Sequence, residues 1–148
     1  MKQLFIQDLL KQWDIAIEDI NMGDFDAIGE FTAKKTRNPN SDLYKSVGCF
    51  FRPNYERGIL IYHLVKKFKI ESMLEIGFGR GYSTFCAAKA MTDCGIRGKI
   101  TTIDPNLDEE FLNNLAKRFP REWFDRINFV QARSQTFLAS SDEKYDFI

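Results

Sequence analysis

The sequence is poor in cysteine and proline and carries no excess of charge of either sign. Its 148 residues include three cysteines and four prolines, and 21 basic residues balance 21 acidic ones. An odd number of cysteines without a CxxC spacing argues against a disulfide framework or a cysteine-rich zinc site and favours a reducing compartment. A net charge of zero argues against a global attraction to nucleic acid or to an anionic membrane.

Long apolar runs are also missing from the sequence. No uninterrupted apolar run approaches the roughly 18 residues that a membrane-spanning helix needs, and polar residues interrupt the N-terminus too early for a signal peptide. Apolar residues nevertheless make up 44% of the chain and aromatic residues 14%, which suits a packed core rather than a disordered chain. We therefore predict a cytoplasmic protein that binds neither nucleic acid nor a membrane.

The pattern of the sequence changes near residue 52. Apolar residues between Lys2 and Ile20 lie on one helical face, and a polar stretch follows them, so residues 1–52 are predicted to form an N-terminal helical extension. From residue 53 helical and strand patterns alternate, which indicates an α/β fold with a doubly wound parallel sheet of about four strands. The predicted elements are helices at Tyr55–Phe68, Ser83–Met91 and Asp108–Phe119, and strands at Ser72–Ile76, Lys99–Ile103, Ile127–Gln131 and Tyr145–Ile148.

A glycine loop at residues 77–81 is the most informative segment of the chain. It follows a predicted strand and precedes a predicted helix, where glycines allow close backbone approach to a ligand and helix N–H groups favour negative charge. Gly77, Gly79 and Gly81 have a G-x-G-x-G spacing, one residue shorter than the G-x-G-x-x-G of dinucleotide-binding loops. Together with Glu75, this loop resembles motif I of class I S-adenosylmethionine-dependent methyltransferases.

Further segments are similar to the O-methyltransferase branch of that family, which includes the catechol and caffeoyl-CoA types and their bacterial relatives. The resemblance covers residues 53–148, which are therefore predicted to be the cofactor-binding half of a Rossmann-like methyltransferase domain. It implies S-adenosylmethionine as the cofactor and transfer of a methyl group to an oxygen of a small-molecule acceptor. The segments that carry it besides the glycine loop are Pro53–Leu60, Tyr82-Ser83, Gly98–Asp104 and Tyr145–Ile148.

The resemblance also implies roles for individual residues. The carboxylate of Glu75 suits the positively charged methionine end of the cofactor, and Ser83 either binds the methionine carboxylate or is an ordinary N-cap. Asp104 is expected to accept hydrogen bonds from the ribose, with a turn or helix-cap role as the alternative. Arg133, at a position where an aspartate is common, either stacks on the adenine or is solvated. The predicted cofactor-binding residues are Glu75, Gly77, Phe78, Gly79, Gly81, Tyr82, Ser83, Asp104, Pro105, Arg133 and Ser134.

The chain stops at Ile148, inside the fourth predicted strand, before the acidic residue that follows this strand in the family. The sequence therefore suggests a truncated methyltransferase that binds its cofactor without turnover and forms a homo-oligomer through an exposed sheet edge. Catalytic residues are not identified, and no metal site is predicted. A non-catalytic binding or oligomerisation module remains an alternative, and a nicotinamide-dependent oxidoreductase is disfavoured by the glycine spacing and by Glu75.

Three chemically reactive side chains are interpreted as packing residues. His63 is the only histidine, so it cannot form a multi-histidine metal site, and it lies on a predicted helix with a wide apolar face. Cys86 and Cys94 lie on or just after a helix rich in small residues, and nothing in the sequence brings the histidine beside either of them.

Overall fold

The structure, a computed structural model, describes residues 6–15, 55–79, 81–117 and 119–148. The predicted α/β class is confirmed, because three parallel strands alternate with helices. Most of the predicted extension at residues 1–52 lies outside the described residues, so that domain assignment stays a prediction. The helices are α1 (Ile6–Gln12), α2 (Tyr55–Phe68), α3 (Tyr82–Asp93), α4 (Glu109–Ala116), α5 (Arg121–Phe124) and α6 (Ser134–Ser140), and the strands are β1 (Ser72–Ile76), β2 (Lys99–Ile103) and β3 (Ile127–Val130).

The sheet has the strand order β1-β2-β3, and all its pairs are parallel. β1 and β2 pair along their full length, from Ser72 opposite Lys99 to Ile76 opposite Ile103. The carboxyl ends of the strands therefore lie at one edge of the sheet, which is where ligands bind in open α/β sheets.

The predicted fourth strand lies beside β1, as a single parallel bridge between Phe147 and Met73. The Leu74 N–H donates to the Phe147 carbonyl across 2.9 Å. β1 thus has neighbours on both sides. The strand predicted at Tyr145–Ile148 is reduced to this single bridge. Self-association through this edge stays a prediction.

The core forms where the helices pack on the sheet. Both crossovers advance in the same direction along the sheet, and because such connections are right-handed, α3 and the pair α4–α5 lie on the same face. Phe85 of α3 is fully buried and stacks on Phe119, with ring centroids 4.9 Å apart, and Trp123 of α5 stacks on Phe119 in turn. These contacts fix the position of α3, whose N-terminus adjoins the glycine loop.

The first helix is shorter than its apolar pattern predicts. α1 ends at Gln12, and the Ile15 N–H donates to the Leu10 carbonyl while the Asp14 N–H donates to that of Lys11. This pair of bonds is a Schellman motif, with Asp14 in the left-handed conformation (φ 50°) that glycine usually adopts. The predicted continuation of this helix beyond residue 13 is therefore wrong as far as residue 15, and residues 16–20 lie outside the described residues.

Later elements agree more closely with the predictions. α2, β1 and β2 have the predicted bounds, whereas α4 ends at Ala116, and Phe119 is buried in the turn that follows it. α6 is a helix that the sequence patterns do not predict, and none of its residues is buried. Among the described helices, none is long and apolar enough to cross a membrane.

Candidate functional site

The glycine loop connects the carboxyl end of β1 to the N-terminus of α3. Gly77, Gly79 and Gly81 have φ values of 93°, 56° and 81°, in the left-handed region that side chains with a Cβ disfavour. A Cβ on Gly81 would lie 2.5 Å from the Phe78 ring, whereas a Cβ on Gly77 would have no atom within 4 Å. Gly81 is thus needed for packing, and Gly77 borders open space at the edge of the sheet.

Asp104 lies directly after β2 and contacts the glycine loop. Its Oδ2 accepts a hydrogen bond from the Gly79 N–H at 3.1 Å, and its Oδ1 accepts one from the Asn106 N–H at 2.8 Å. The helix-cap alternative for Asp104 is excluded, because α4 is capped by Asp108, whose side chain accepts from the Phe111 N–H. The structure therefore brings together the loop and the acid that the sequence assigned to one site.

Glu75 lies on β1, two residues before Gly77, between two threonines. The hydroxyls of Thr84 on α3 and Thr102 on β2 both donate to its Oε2, the latter at 3.0 Å. Burial raises the pKa of Glu75 above its ordinary value of 4.5, while hydrogen bonds from Thr84, Thr102 and Ser83 and the charge of Arg57 lower it. The two threonines are fully buried.

Thr84 and Thr102 contact Glu75 but are not among the residues that the sequence predicts for the site. Their pairing with Glu75 follows from the sheet register, because Glu75 lies opposite Thr102. The equal length of the two predicted strands was the available signal for this register.

Two of the predicted cofactor residues turn their side chains into the core. The ring of Phe78 packs edge-on against Phe129 with centroids 5.3 Å apart, and Tyr82 is only 6% exposed. A Cβ on Gly58 of α2 would clash with the Tyr82 hydroxyl, so this part of α2 closely approaches α3. At both positions only the backbone is left to contact a ligand at the loop.

The end of β3 lies at the same edge of the sheet. The Asp104 N–H donates to the Val130 carbonyl at 3.1 Å, and the Gln131 side chain reaches the Pro105 carbonyl at 3.4 Å. Arg133 is exposed just before α6, and Ser134, the first residue of α6, is half-buried. The segment predicted to contact adenine thus neighbours the turn that carries the predicted ribose acid, although the role of each residue stays a prediction.

Cys86 and His63 are both buried. Burial raises the pKa of the Cys86 thiol to about 12, so it remains protonated at neutral pH. His63 is 2% exposed within α2, in agreement with its interpretation as a packing residue. Among the described residues, no group of three or more histidine, cysteine, aspartate or glutamate side chains could bind a metal ion.

Residues 74–148, half of the chain, match a protein family described as a methyltransferase domain. The chain belongs to this methyltransferase family. The match begins in β1 and includes the glycine loop, Asp104 and the end of β3. Among proteins of curated function, none matches this methyltransferase chain.

Solved structures with the same fold include two O-methyltransferases. A protein from Klebsiella pneumoniae that is assigned as an O-methyltransferase is 16% identical in sequence and superposes with a TM-score of 0.61. The match covers 95% of this chain and 56% of the Klebsiella pneumoniae protein. TomG from Streptomyces achromogenes is an O-methyltransferase involved in tomaymycin synthesis, and its structure was solved with S-adenosylmethionine. It is 18% identical in sequence and superposes with a TM-score of 0.53. The match covers 90% of this chain and 52% of TomG. The methyltransferase chain thus spans slightly more than half the length of these two proteins, and at this identity the likeness concerns the fold.

Proposed function

We propose that this methyltransferase domain binds S-adenosylmethionine at the carboxyl ends of β1 and β2, and that the intact enzyme transfers the methyl group to an oxygen of a small molecule in the cytoplasm. The single observation that carries the proposal is the contact between the glycine loop and Asp104, with Glu75 two residues before the loop. S-adenosylmethionine supplies a methyl group activated by a sulfonium. The residues of this chain bind and orient that group.

The shape of the loop supports this assignment. The open space beside Gly77 would allow a ligand to approach the backbone closely. The backbone of Gly77 is anchored to the end of β2, since its N–H donates to the Ile103 carbonyl at 2.8 Å. A rigid loop beside open space suits a cofactor that is bound by backbone contacts.

The acidic groups at the site match the polar groups of the cofactor. Asp104 already accepts one backbone hydrogen bond on each oxygen, and each carboxylate oxygen has a second lone pair available for a ribose hydroxyl. The carboxylate of Glu75 suits the ammonium group of the methionine end. Ser83 at the start of α3 and Ser134 at the start of α6 are proposed to contact the methionine carboxylate and the adenine, respectively.

Transfer of the methyl group requires that the acceptor oxygen be aligned with it. The family assignment supports methyl transfer, and the fold shared with TomG, an O-methyltransferase, supports an oxygen as the acceptor. Incubation of the chain with radiolabelled S-adenosylmethionine and a catechol acceptor would test transfer separately from binding. Labelled product would exclude the non-catalytic alternative, whereas cofactor binding without product is expected both of that alternative and of a chain that binds its cofactor without turnover.

Isothermal titration calorimetry with S-adenosylhomocysteine, and with NADH as the control, tests the cofactor assignment. Saturable binding of S-adenosylhomocysteine alone is the expected result. Binding of NADH alone would replace the proposal with the oxidoreductase alternative. Binding of neither compound would contradict a cofactor site in this chain.

A further inference from the structure

Glu75 occupies an unusual position for a charged residue, because it is surrounded by hydroxyl groups from two elements that pack on β1. Thr102 lies opposite it on β2, and Thr84 lies in the first turn of α3. Both hydroxyls donate to Oε2, and neither is accessible to water. This arrangement restricts the rotation of the carboxylate at the point where β1 enters the glycine loop.

We infer that Thr84 and Thr102 are positioning residues that keep Glu75 as a carboxylate oriented toward the ammonium group of the cofactor. This inference rests on the proposed function and extends it, since it assigns recognition of the amino group to a three-residue unit. Without the two hydroxyls, a buried carboxyl group at this position would favour its neutral form, which does not attract an ammonium group.

The charges around Glu75 support this arrangement. Arg57 approaches from α2 and lowers the pKa of Glu75, while Cys86 approaches from α3 with a thiol whose pKa is raised to about 12. The Cys86 thiol therefore stays protonated near neutral pH, and Thr102 on β2 does not titrate. Protonation of Glu75 is therefore the event that a titration of this unit reports.

Replacement of each threonine by valine removes the hydroxyl at nearly constant volume, and serine is the matched control that retains it. The carboxyl ¹³C resonance of Glu75, followed by NMR as a function of pH in the free protein, gives the titration midpoint directly. Thr84→Val and Thr102→Val should each raise this midpoint by about one pH unit, since a hydrogen bond to a charged group is lost. Thr84→Ser and Thr102→Ser should leave it nearly unchanged. Unshifted midpoints in both valine variants would overturn the inference.

Ligand binding separates a positioning role from a purely structural one. At a pH midway between the midpoints of the wild type and a valine variant, Glu75 is ionised in about three-quarters of the wild-type molecules and in about one-quarter of the variant molecules, so the variant should bind S-adenosylhomocysteine about threefold more weakly. Its affinity for the analogue that lacks the amino group should be unchanged. Equal losses for both compounds would indicate only a structural role and would overturn the inference.

Misfolding of a valine variant and absence of cofactor binding by the unaltered chain are the two remaining outcomes. If valine prevents folding at either position, as judged by far-ultraviolet circular dichroism, alanine removes the same hydroxyl without overpacking the site. If the unaltered chain binds no S-adenosylhomocysteine, the proposed function fails, and the role of the threonines in ammonium recognition fails with it. Binding by the unaltered chain with unshifted valine midpoints contradicts the inference alone.

Discussion

The backbone N–H of Gly79 donates a hydrogen bond to Oδ2 of Asp104 at 3.1 Å. The two residues follow different strands, so this bond joins the glycine loop to the end of β2. The loop is therefore preorganised by the same carboxylate that is proposed to bind the ribose, which reduces the ordering cost of binding.

Two substitutions of Asp104 are expected to weaken cofactor binding by different amounts. Asp104→Asn retains an oxygen that can accept from Gly79 but removes the charge, whereas Asp104→Ala removes both. The Asp104→Asn variant should bind S-adenosylhomocysteine about tenfold more weakly than the wild type, and the Asp104→Ala variant about a hundredfold more weakly. These losses agree with the free energies of hydrogen bonds to charged groups. Calorimetry measures the affinities, and the amide resonance of Gly79 should move in the alanine variant even without ligand.

Asp108→Ala provides the control for Asp104. It removes the N-cap of α4 and should lower the free energy of unfolding by about 1 kcal/mol. Its affinity for S-adenosylhomocysteine should be that of the wild type. A comparable loss of affinity in both alanine variants would contradict a specific role for Asp104.

Glu75 makes the stability of the fold depend on pH in a predictable direction. Because burial raises its pKa above 4.5, the folded protein retains this proton at pH values where the unfolded chain has released it. The contribution of Glu75 to stability is therefore full below pH 4.5 and declines as pH rises through the raised pKa. Glu75→Gln should remove this decline and unfold at an equal or higher urea concentration at pH 7, while binding S-adenosylhomocysteine more weakly. A variant that is less stable than the wild type at pH 7 but equally stable at pH 4 would contradict this account.

The two described cysteines should differ in their reactivity. Cys86 is 1% exposed with a pKa of about 12, whereas Cys94 at the end of α3 is partly accessible. Only the thiolate reacts rapidly with an alkylating agent, so iodoacetamide at pH 7.5 should modify Cys94 at least tenfold faster. Peptide mass spectrometry after short exposure measures both rates in the same sample. Faster modification of Cys86 would show that the core around α3 opens more readily than its packing indicates.

Local patterns were sufficient to predict most of the central fold. The apolar run at Ser72–Ile76 ends at a glycine cluster, and the β-branched run at Lys99–Ile103 ends at Asp104-Pro105, so both strands and the loop between β1 and α3 were found at their observed positions. The proximity of Asp104 to the loop followed from parallel strand order alone. These features depend on short segments and on one topological rule.

The features that escaped prediction depend on tertiary contacts or on rare backbone conformations. The early end of α1 requires Asp14 to adopt a left-handed conformation, and aspartate gives a weaker signal for this than glycine does. The inward orientation of Phe78 is set by Phe129, which is distant in sequence. The bonds from Thr84 and Thr102 to Glu75 require both the strand register and the position of α3.

The most direct test of a cofactor site at the glycine loop compares two glycine substitutions. Gly77 and Gly95 both have positive φ, and a Cβ on either would have no atom within 4 Å, so alanine at each costs roughly 1–2 kcal/mol of strain. Gly77 precedes α3 and Gly95 follows it, and this helix of 12 residues is about 18 Å long. Calorimetry with S-adenosylhomocysteine should show at least tenfold weaker binding for Gly77→Ala and unchanged binding for Gly95→Ala. Equal affinities in the two variants would contradict a cofactor site at this loop.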